Sequence, residues 1–521
     1  MEPIVLGGKP LTIDAVARVA REEHLVELSE EAAEAIAFSR GVIDALAEDP
    51  RPHYGVSTGF GALAKVQIPK EDRAQLQRSL VRSHAAGAGA EVEREVVRAL
   101  MLLRLNTLAT GRTGVRLETA ETYVAMLNAG ITPIVHEYGS LGCSGDLSPL
   151  AHCALAAMGE GDVRDRSGAI RPAQEVLLEH GIVPLVLAEK EGLALINGTD
   201  GMLGMLALAI TDLTMLLRTA DIAAAASVEA LLGTDSVFAA DLHELRPQPG
   251  QAVSASNIRR VLDGSGLIAK REANEFSRVQ DAYSLRCAPQ VHGAARDTLD
   301  HAIRVAEAEL RSAIDNPVVT RDGRVESNGN FHGAPLGYVL DFLAIVLADV
   351  ASMSERRTDR FLDVARNHGL PPFLADNPGL DSGLMIAQYT AAGVVSELKR
   401  LASPASVDSI PSSAMQEDHV SMGWAAARKL RKGVDGLATV LGIELLTSAR
   451  ARDFRERAAH ALTASSAGAA PAVQAMHSLI REHCAPPATD RSLSPEILAM
   501  TRLVHEGRIL QRVSATIGDL D

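Results

Sequence analysis

Residues 201–231 read GMLGMLALAITDLTMLLRTADIAAAASVEAL, and this stretch decides the fold class. Alanine and leucine, two of the strongest helix formers, dominate it, and no proline interrupts it. Asp212 lies inside this apolar run, as Asp341 lies inside the other strongly apolar stretch, so neither run is an uninterrupted membrane span. The stretch therefore predicts one long helix in a mainly α-helical protein.

Helical runs of the same kind fill most of the chain after residue 198. Five prolines between residues 371 and 411 fall in the breaks between these runs. We predict helices at 201–231, 298–312, 335–366, 383–402, 423–449 and 471–483. The predicted fold is a long-helix bundle over residues 198–521 and a smaller, loop-rich helical region over residues 1–197, packed as one compact unit. Long helices with wide apolar stripes also favour packing between subunits.

The N-terminal region carries several local signals. Thr12 and Ser29 are candidate N-caps of helices within residues 11–50, because a hydroxyl can accept a hydrogen bond from a free backbone N–H of the first turn. Ser148-Pro149 predicts a further N-cap followed by a first-turn proline. Residues 163–190 are mixed in character and predict a short β excursion.

Composition and charge exclude several classes of protein. The chain has 521 residues, of which 47% are hydrophobic and 22% charged, so it can bury a large core. Its net charge of −15 and the lack of a long basic cluster argue against nucleic acid as a partner. Four cysteines do not make a disulfide framework, and the N-terminus lacks a signal peptide pattern. We therefore expect a cytoplasmic protein with no membrane partner.

A glycine-rich loop, Gly139-Ser140-Leu141-Gly142-Cys143-Ser144-Gly145-Asp146, precedes one predicted helix. Gly145 has no side chain, so its nitrogen can approach the carbonyl carbon of Cys143. Cyclisation there, with dehydration of Ser144, would leave a methylidene-imidazolone, an electrophile that no ordinary side chain provides. Two alternatives are an ordinary glycine turn and a nucleophilic Cys143 with His152 as its base. The tripeptide by itself decides between none of the three.

Residues 139–152 resemble the signature of the ammonia-lyases that carry this prosthetic group, although the usual tripeptide is Ala-Ser-Gly. Further blocks resemble the family in the same order along the chain: 54–63, 83–87, 195–199, 280–287, 312–317, 330–332 and 416–422. Residues 133–138 differ from the Pro-x-x-Pro-x-Lys motif of many relatives. This difference puts in doubt only how the neighbouring loop packs. The resemblance implies 4-methylidene-imidazol-5-one, formed autocatalytically from Cys143-Ser144-Gly145 with no external cofactor, and a homotetramer.

Two blocks bear on the substrate. Ser83-His84 and Gln416-Glu417-Asp418-His419 resemble the branch of the family that acts on L-histidine and releases trans-urocanate, the first step of histidine degradation. An imidazole needs polar partners, because a buried polar group without one costs about 1–3 kcal/mol. The alternatives are a phenylalanine or tyrosine ammonia-lyase or aminomutase on the same scaffold, a cysteine hydrolase that uses Cys143, and a helical scaffold without activity.

The resemblance also implies residue roles. Tyr54, in a mobile loop over the site, is the candidate base for the β-proton; a tyrosine of pKa about 10 needs surroundings that favour the phenolate. Tyr283 is expected near the ring and the leaving amine. Glu417 is expected in recognition of the substrate side chain and in proton transfer.

Five further residues are expected to bind substrate: His84, Asn197, Gln280, Arg286 and Phe331. Arg286 suits the substrate carboxylate, because its guanidinium can donate two parallel hydrogen bonds. His84 would recognise the imidazole, Asn197 and Gln280 would donate or accept further hydrogen bonds, and Phe331 would pack beside the ring. The histidines have no metal-ligand spacing such as His-Glu-x-x-His, so we expect no metal.

Overall fold

The computed structural model describes residues 2–59, 66–268, 279–461 and 468–521. Residues 60–63 of the predicted tyrosine block lie outside the described residues. The chain is 60% helical with few strands, which confirms the prediction of a mainly α fold.

Helices α1–α19 follow one another as Ile13–Arg21, Glu30–Glu48, Arg73–His84, Arg94–Ala109, Leu117–Ala129, Leu147–Ala157, Ala173–Glu179, Glu191–Ala194, Asp200–Ala230, Ala240–Glu244, Pro249–Leu262, Tyr283–Arg286, Ala288–Leu310, Ala334–Leu362, Met385–Leu401, Gly423–Ala461, Pro471–His483, Ser494–His505 and Arg508–Ile517. Strands β1–β9 are Ile4–Leu6, Val26–Leu28, Ala88–Glu91, Thr132–Pro133, His136–Tyr138, Asp162–Arg164, Ile170–Pro172, Val318–Val319 and Val325–Glu326. In the described part of the chain, β1 pairs with β2 in parallel. The other pairs are antiparallel: β3 with β5, β4 with β6, β6 with β7, and β8 with β9.

The local helix-start predictions have mixed outcomes. Thr12 and Ser29 are the N-caps of α1 and α2, and each hydroxyl accepts a hydrogen bond of 3.1 Å from the backbone N–H three residues later. The Ser148 prediction is wrong, because α6 begins at Leu147 and has no side-chain cap. The Ser148 hydroxyl instead accepts a hydrogen bond from the backbone N–H of Ala86, at 3.2 Å. A long-range contact therefore uses the oxygen that a local cap would need.

The long helices appear where they were predicted, with shifted ends. α9 covers Asp200–Ala230 and α17 covers Pro471–His483, close to the predicted bounds. α13 begins ten residues before the predicted start, at Ala288, and Pro289 lies in its first turn, where proline is tolerated. The β excursion within 163–190 is confirmed by β6 and β7.

Two helices, α9 and α14, are long and apolar enough to cross a membrane by length and composition alone. Within the protein, 78% and 61% of their apolar windows are buried. Such burial is typical of helices in a protein core.

The described chain divides into two compact units, each built from separate stretches. The first comprises residues 1–211, 302–341 and 404–428, and the second comprises 212–301, 342–403 and 429–521. The predicted division near residue 197 stays a prediction. Inside the second unit, the buried ion pair between Arg357 and Glu444 has a nitrogen–oxygen distance of 2.5 Å.

Candidate active site

The glycine-rich loop lies in the first unit, and its shape requires glycine at position 145. Gly145 has a φ of +78°, a backbone conformation that favours glycine. A Cβ at this position would lie 2.1 Å from the carbonyl oxygen of Gly198. The same oxygen accepts a hydrogen bond of 2.7 Å from the backbone N–H of Asp146. The loop is therefore packed against the backbone of Gly198, with no space for a side chain at position 145.

The segment that receives the loop is held by a buried ion pair. Arg104 and Asp200 are both buried, with a nitrogen–oxygen distance of 2.7 Å. The Arg104 guanidinium also donates to the carbonyl oxygens of Ala194 and Asn197, at 2.8 and 3.1 Å. Because one guanidinium binds both ends of this segment, it restrains the backbone beside the loop.

Asp146 is a site residue that the sequence interpretation missed. Its carboxylate is fully buried and accepts hydrogen bonds of 2.9 Å from the Ser140 hydroxyl and from the backbone N–H of Met202 in the first turn of α9. Burial raises the pKa of Asp146 to about 7, against the opposing effect of these two hydrogen bonds. The available signal was an acidic residue directly before α6, in a loop that otherwise carries no charge.

Asp146 predicts a pH dependence of stability. A pKa of about 7 in the folded protein and 3.8 as the ordinary value means that the folded state binds the proton more tightly. The contribution of Asp146 is fully present below about pH 4 and is lost as the pH rises through about 7, at up to about 1.4 kcal/mol per pH unit. We expect the melting temperature of Asp146→Asn, whose side chain does not titrate, to fall less between pH 5 and pH 8 than that of the wild type. Equal losses in differential scanning calorimetry would contradict this assignment.

Glu417 lies over the tripeptide. Its Oε1 accepts a hydrogen bond of 2.6 Å from the Ser144 hydroxyl. Its Oε2 accepts hydrogen bonds from the Ser412 hydroxyl, at 2.8 Å, and from the Cys143 thiol, at 3.2 Å. Burial raises the pKa of Glu417, but these three hydrogen bonds and the nearby His84 outweigh burial and lower it overall. Glu417 is therefore a carboxylate at neutral pH.

The surroundings of the Cys143 thiol do not favour a role as a nucleophile. Burial, followed by the charge of Glu417, raises the pKa of Cys143 to about 11, so the reactive thiolate is scarce at neutral pH. Nε2 of His152, the proposed base in the cysteine alternative, accepts a hydrogen bond of 3.1 Å from the backbone N–H of Gly87. These contacts disfavour a cysteine hydrolase.

Two cavities of the first unit meet at the tripeptide. One, of about 360 Å³, has mixed polar and apolar walls and is lined by Cys143, Phe331 and the side chains of residues 416–419 among others. The second, of about 440 Å³, has more apolar walls and includes His84. Four residues line both cavities: Tyr54, Ser144, Asn197 and Glu417. The structure thus brings together Tyr54, His84, the tripeptide, Asn197, Phe331 and Glu417.

His84 is oriented by its own helix. Its Nδ1 lies 2.9 Å from the carbonyl oxygen of Leu80, which can only accept, so Nδ1 carries the hydrogen and Nε2 is left as an acceptor. Burial lowers the pKa of His84, although the charge of Glu417 opposes this effect. The imidazole is therefore neutral at neutral pH.

Asn197 offers an acceptor to the cavities. Its side chain is 6% exposed, and its Oδ1 has no hydrogen-bond partner among the described residues. An unsatisfied buried polar atom is uncommon in proteins and is explained where a bound group supplies the partner. Oδ1 of Asn197 is thus suited to a donor that occupies the cavity.

Three predicted site residues belong to the second unit. Gln280 and Tyr283 are exposed, and Tyr283 keeps 70% of its surface accessible. The Arg286 guanidinium lies 4.8 Å from the centre of the Tyr283 ring. These three residues are not among those that line the two cavities of the first unit.

The chain is similar to known proteins along its whole length. The aromatic amino acid lyase family profile matches residues 11–482. The histidine ammonia-lyase of Streptomyces griseus is 62% identical over 521 residues, which is 100% of both chains. The solved tyrosine aminomutase of Streptomyces globisporus has a TM-score of 0.93 at 37% identity and covers 100% of both chains. Histidine ammonia-lyase from Trypanosoma cruzi has a TM-score of 0.89 at 38% identity, covering 99% of this chain and 96% of that one.

Because the family profile spans most of the chain and a relative is 62% identical along all of it, the chain belongs to the aromatic amino acid lyase family, the group known for a methylidene-imidazolone that forms autocatalytically.

Proposed function

We propose that this protein eliminates ammonia from L-histidine and releases trans-urocanate. The observation that carries the proposal is the pairing of His84 with Glu417 in one cavity beside Ser144. The N–H of a substrate imidazole can donate a hydrogen bond to the Glu417 carboxylate or to Nε2 of the neutral His84, and both acceptors lie in this cavity. An apolar substrate ring would offer no donor to Oε1 of Glu417 or to Nε2 of His84, which is unfavourable in a partly buried site.

The residues of the loop fit the prosthetic group of the family. Gly145 has no side chain to keep its nitrogen away from the carbonyl carbon of Cys143. The half-buried Ser144 carries the hydroxyl that would be lost. Two water molecules would leave. One takes the carbonyl oxygen of Cys143 with the amide hydrogens of Ser144 and Gly145. The other takes the Ser144 hydroxyl with the α-hydrogen of Ser144. Once formed, the group would supply the electrophile that makes the substrate amine a better leaving group.

The other cavity residues take roles that follow from their positions. Tyr54 lines both cavities, which supports its role as the base that removes a β-proton. Asn197 offers its unpartnered Oδ1 to the amine of the substrate. Phe331 forms an apolar part of the wall in the cavity that Cys143 also lines.

We propose that Gln280, Tyr283 and Arg286 complete the site in a homotetramer. Tyr283 is largely exposed in the single chain, and Nε of Arg286 is buried with no hydrogen-bond partner among the described residues. Arg286 would grip the substrate carboxylate, and Tyr283 would lie near the leaving amine. We further propose that the reaction takes place in the cytoplasm and needs no metal.

The direct test is to incubate the purified protein with L-histidine and follow urocanate by its ultraviolet absorbance, with L-phenylalanine and L-tyrosine in parallel. Urocanate from L-histidine alone supports the proposal. Cinnamate or coumarate, or a β-amino acid product, would keep the family and replace the substrate.

The substrate preference should depend on His84. We expect His84→Leu to lower kcat/KM for L-histidine by about ten- to a hundredfold, because Glu417 then lacks its polar companion and the imidazole loses a partner. The ratio of activity on L-phenylalanine to activity on L-histidine should rise. His180→Leu is the matched control, because Nδ1 of the exposed His180 makes the same 2.9 Å contact to a carbonyl oxygen four residues earlier, away from the cavities. An unchanged preference in His84→Leu would remove His84 from recognition.

A further inference from the structure

We propose that Ser412 is a positioning residue that fixes the carboxylate of Glu417 for the substrate. The inference rests on the proposed function, because it assigns the two oxygens of Glu417 separate tasks at the same site. Oε2 is the oxygen that the protein holds, and Oε1 is the oxygen that faces the substrate.

The hydrogen bonds of Glu417 separate its two oxygens. Oε1 has the Ser144 hydroxyl as its donor, at 2.6 Å. Oε2 has the Ser412 hydroxyl at 2.8 Å and the Cys143 thiol at 3.2 Å. When Ser144 loses its hydroxyl as water, the donor to Oε1 disappears and both donors to Oε2 remain. The loss that creates the electrophile therefore frees the oxygen beside it.

A freed carboxylate oxygen in a half-buried position gains from a new donor. A hydrogen bond to a charged group is stronger than one between neutral groups. The N–H of a substrate imidazole in the cavity of His84 can supply this bond, provided that the carboxylate does not rotate. Ser412 prevents rotation, because a hydroxyl is a stronger donor than the thiol of Cys143 and is the closer of the two.

The backbone holds Ser412 and Glu417 opposite each other. The N–H of Ser412 donates to the carbonyl oxygen of Glu417 at 2.8 Å, and the N–H of Glu417 donates back to Ser412 at 3.2 Å. Between them, Ser413, Ala414 and Met415 have φ values of +51°, +52° and +71°. Such backbone is strained for residues other than glycine, so the hydrogen bonds between the two ends of the turn help to hold it.

Inside the turn, the N–H of Gln416 donates a hydrogen bond of 3.1 Å to the carbonyl oxygen of Ser413. Residues 413–416 are exposed, whereas Ser412 and Glu417 are half-buried. Ser412 is not among the residues that line the two cavities. It therefore acts through Glu417 and not on the substrate directly.

The test compares Ser412→Ala with Ser412→Thr, which keeps the hydroxyl. Intact mass should show that both variants lose two water molecules as the wild type does. We expect Ser412→Ala to raise KM for L-histidine about ten- to thirtyfold with a smaller change in kcat, and to weaken binding of trans-urocanate in calorimetry by a similar factor. The acidic limb of the kcat/KM profile should move to higher pH, because the Glu417 carboxylate has lost a donor. Ser412→Thr should restore all three quantities.

Several results would overturn the inference. One is unchanged KM, urocanate affinity and pH profile in a fully dehydrated Ser412→Ala protein. Another is a Ser412→Ala protein that has not lost the two water molecules, since Ser412 would then act in ring formation. A third is failure of Ser412→Thr to restore binding. Ser478→Ala, at an exposed position of α17, controls for loss of a serine hydroxyl. A wild-type protein that makes no urocanate would instead refute the proposed function.

Discussion

Replacing Ser144 with alanine should lower the rate of urocanate formation by at least about four orders of magnitude, which corresponds to about 5–6 kcal/mol in the barrier. The reason lies in the atoms that alanine lacks. Without the Ser144 hydroxyl there is no second water to lose and no exocyclic methylene. The substrate amine then remains a poor leaving group, whatever the surrounding residues do.

The same substitution should leave the fold in place. Ser144 is half-buried, and among the described residues its hydroxyl donates a hydrogen bond of 2.6 Å to Glu417. Glu417 keeps its two donors on Oε2. We therefore expect a melting temperature close to that of the wild type. Intact mass should show that the variant does not lose the water whose departure forms the methylene. Ser478→Ala should show full dehydration and full activity, and a Ser144→Ala protein with substantial activity would refute the electrophile assigned here.

Replacing Gly145 with alanine should abolish both activity and dehydration, and should destabilise the first unit. The added Cβ would lie 2.1 Å from the carbonyl oxygen of Gly198, far inside contact distance. That oxygen is restrained, because it accepts a hydrogen bond from the N–H of Asp146. The backbone of Gly198 is also closely packed, since a Cβ on Gly198 would overlap the Arg104 guanidinium. The φ of +78° adds a further penalty for any residue other than glycine.

We expect Gly145→Ala to reduce the free energy of unfolding by about 3 kcal/mol or more, because steric overlap with backbone leaves little room to relax. Thermal unfolding and intact mass measure the two effects separately. Gly168→Ala is the control, since Gly168 also has a positive φ of +90° but nothing lies within 4 Å of its Cβ position. If Gly145→Ala were no less stable than Gly168→Ala and lost both water molecules, the close approach to Gly198 would be wrong.

Local signals in the sequence predicted local structure well. Thr12 and Ser29 each bond a backbone N–H three residues away, so the residues that determine the cap are adjacent in the chain. Ser148 carried the same signal, but a backbone N–H at residue 86 takes its hydroxyl. A distant partner of this kind leaves no trace in the neighbouring sequence.

The site itself was predicted only where a motif carried it. The tripeptide, His84 and Glu417 stand in recognisable blocks, whereas Ser412 stands in none. The turn after Ser412 has no glycine, so its left-handed backbone at Ser413, Ala414 and Met415 could not be expected from residue preferences. Asp146 is informative only once the fold shows that its carboxylate is enclosed by Ser140 and Met202.

The contact between Ser144 and Glu417 has a consequence for biosynthesis, because the two residues are 273 positions apart. At a translation rate of roughly 5–20 residues per second, the carboxylate is made roughly 15–55 s after the serine. Throughout that interval the nascent chain carries the serine loop without the group that later covers it. Any chemistry of the loop that depends on the finished pocket must therefore wait until the ribosome has passed residue 428, where the last stretch of the first unit ends.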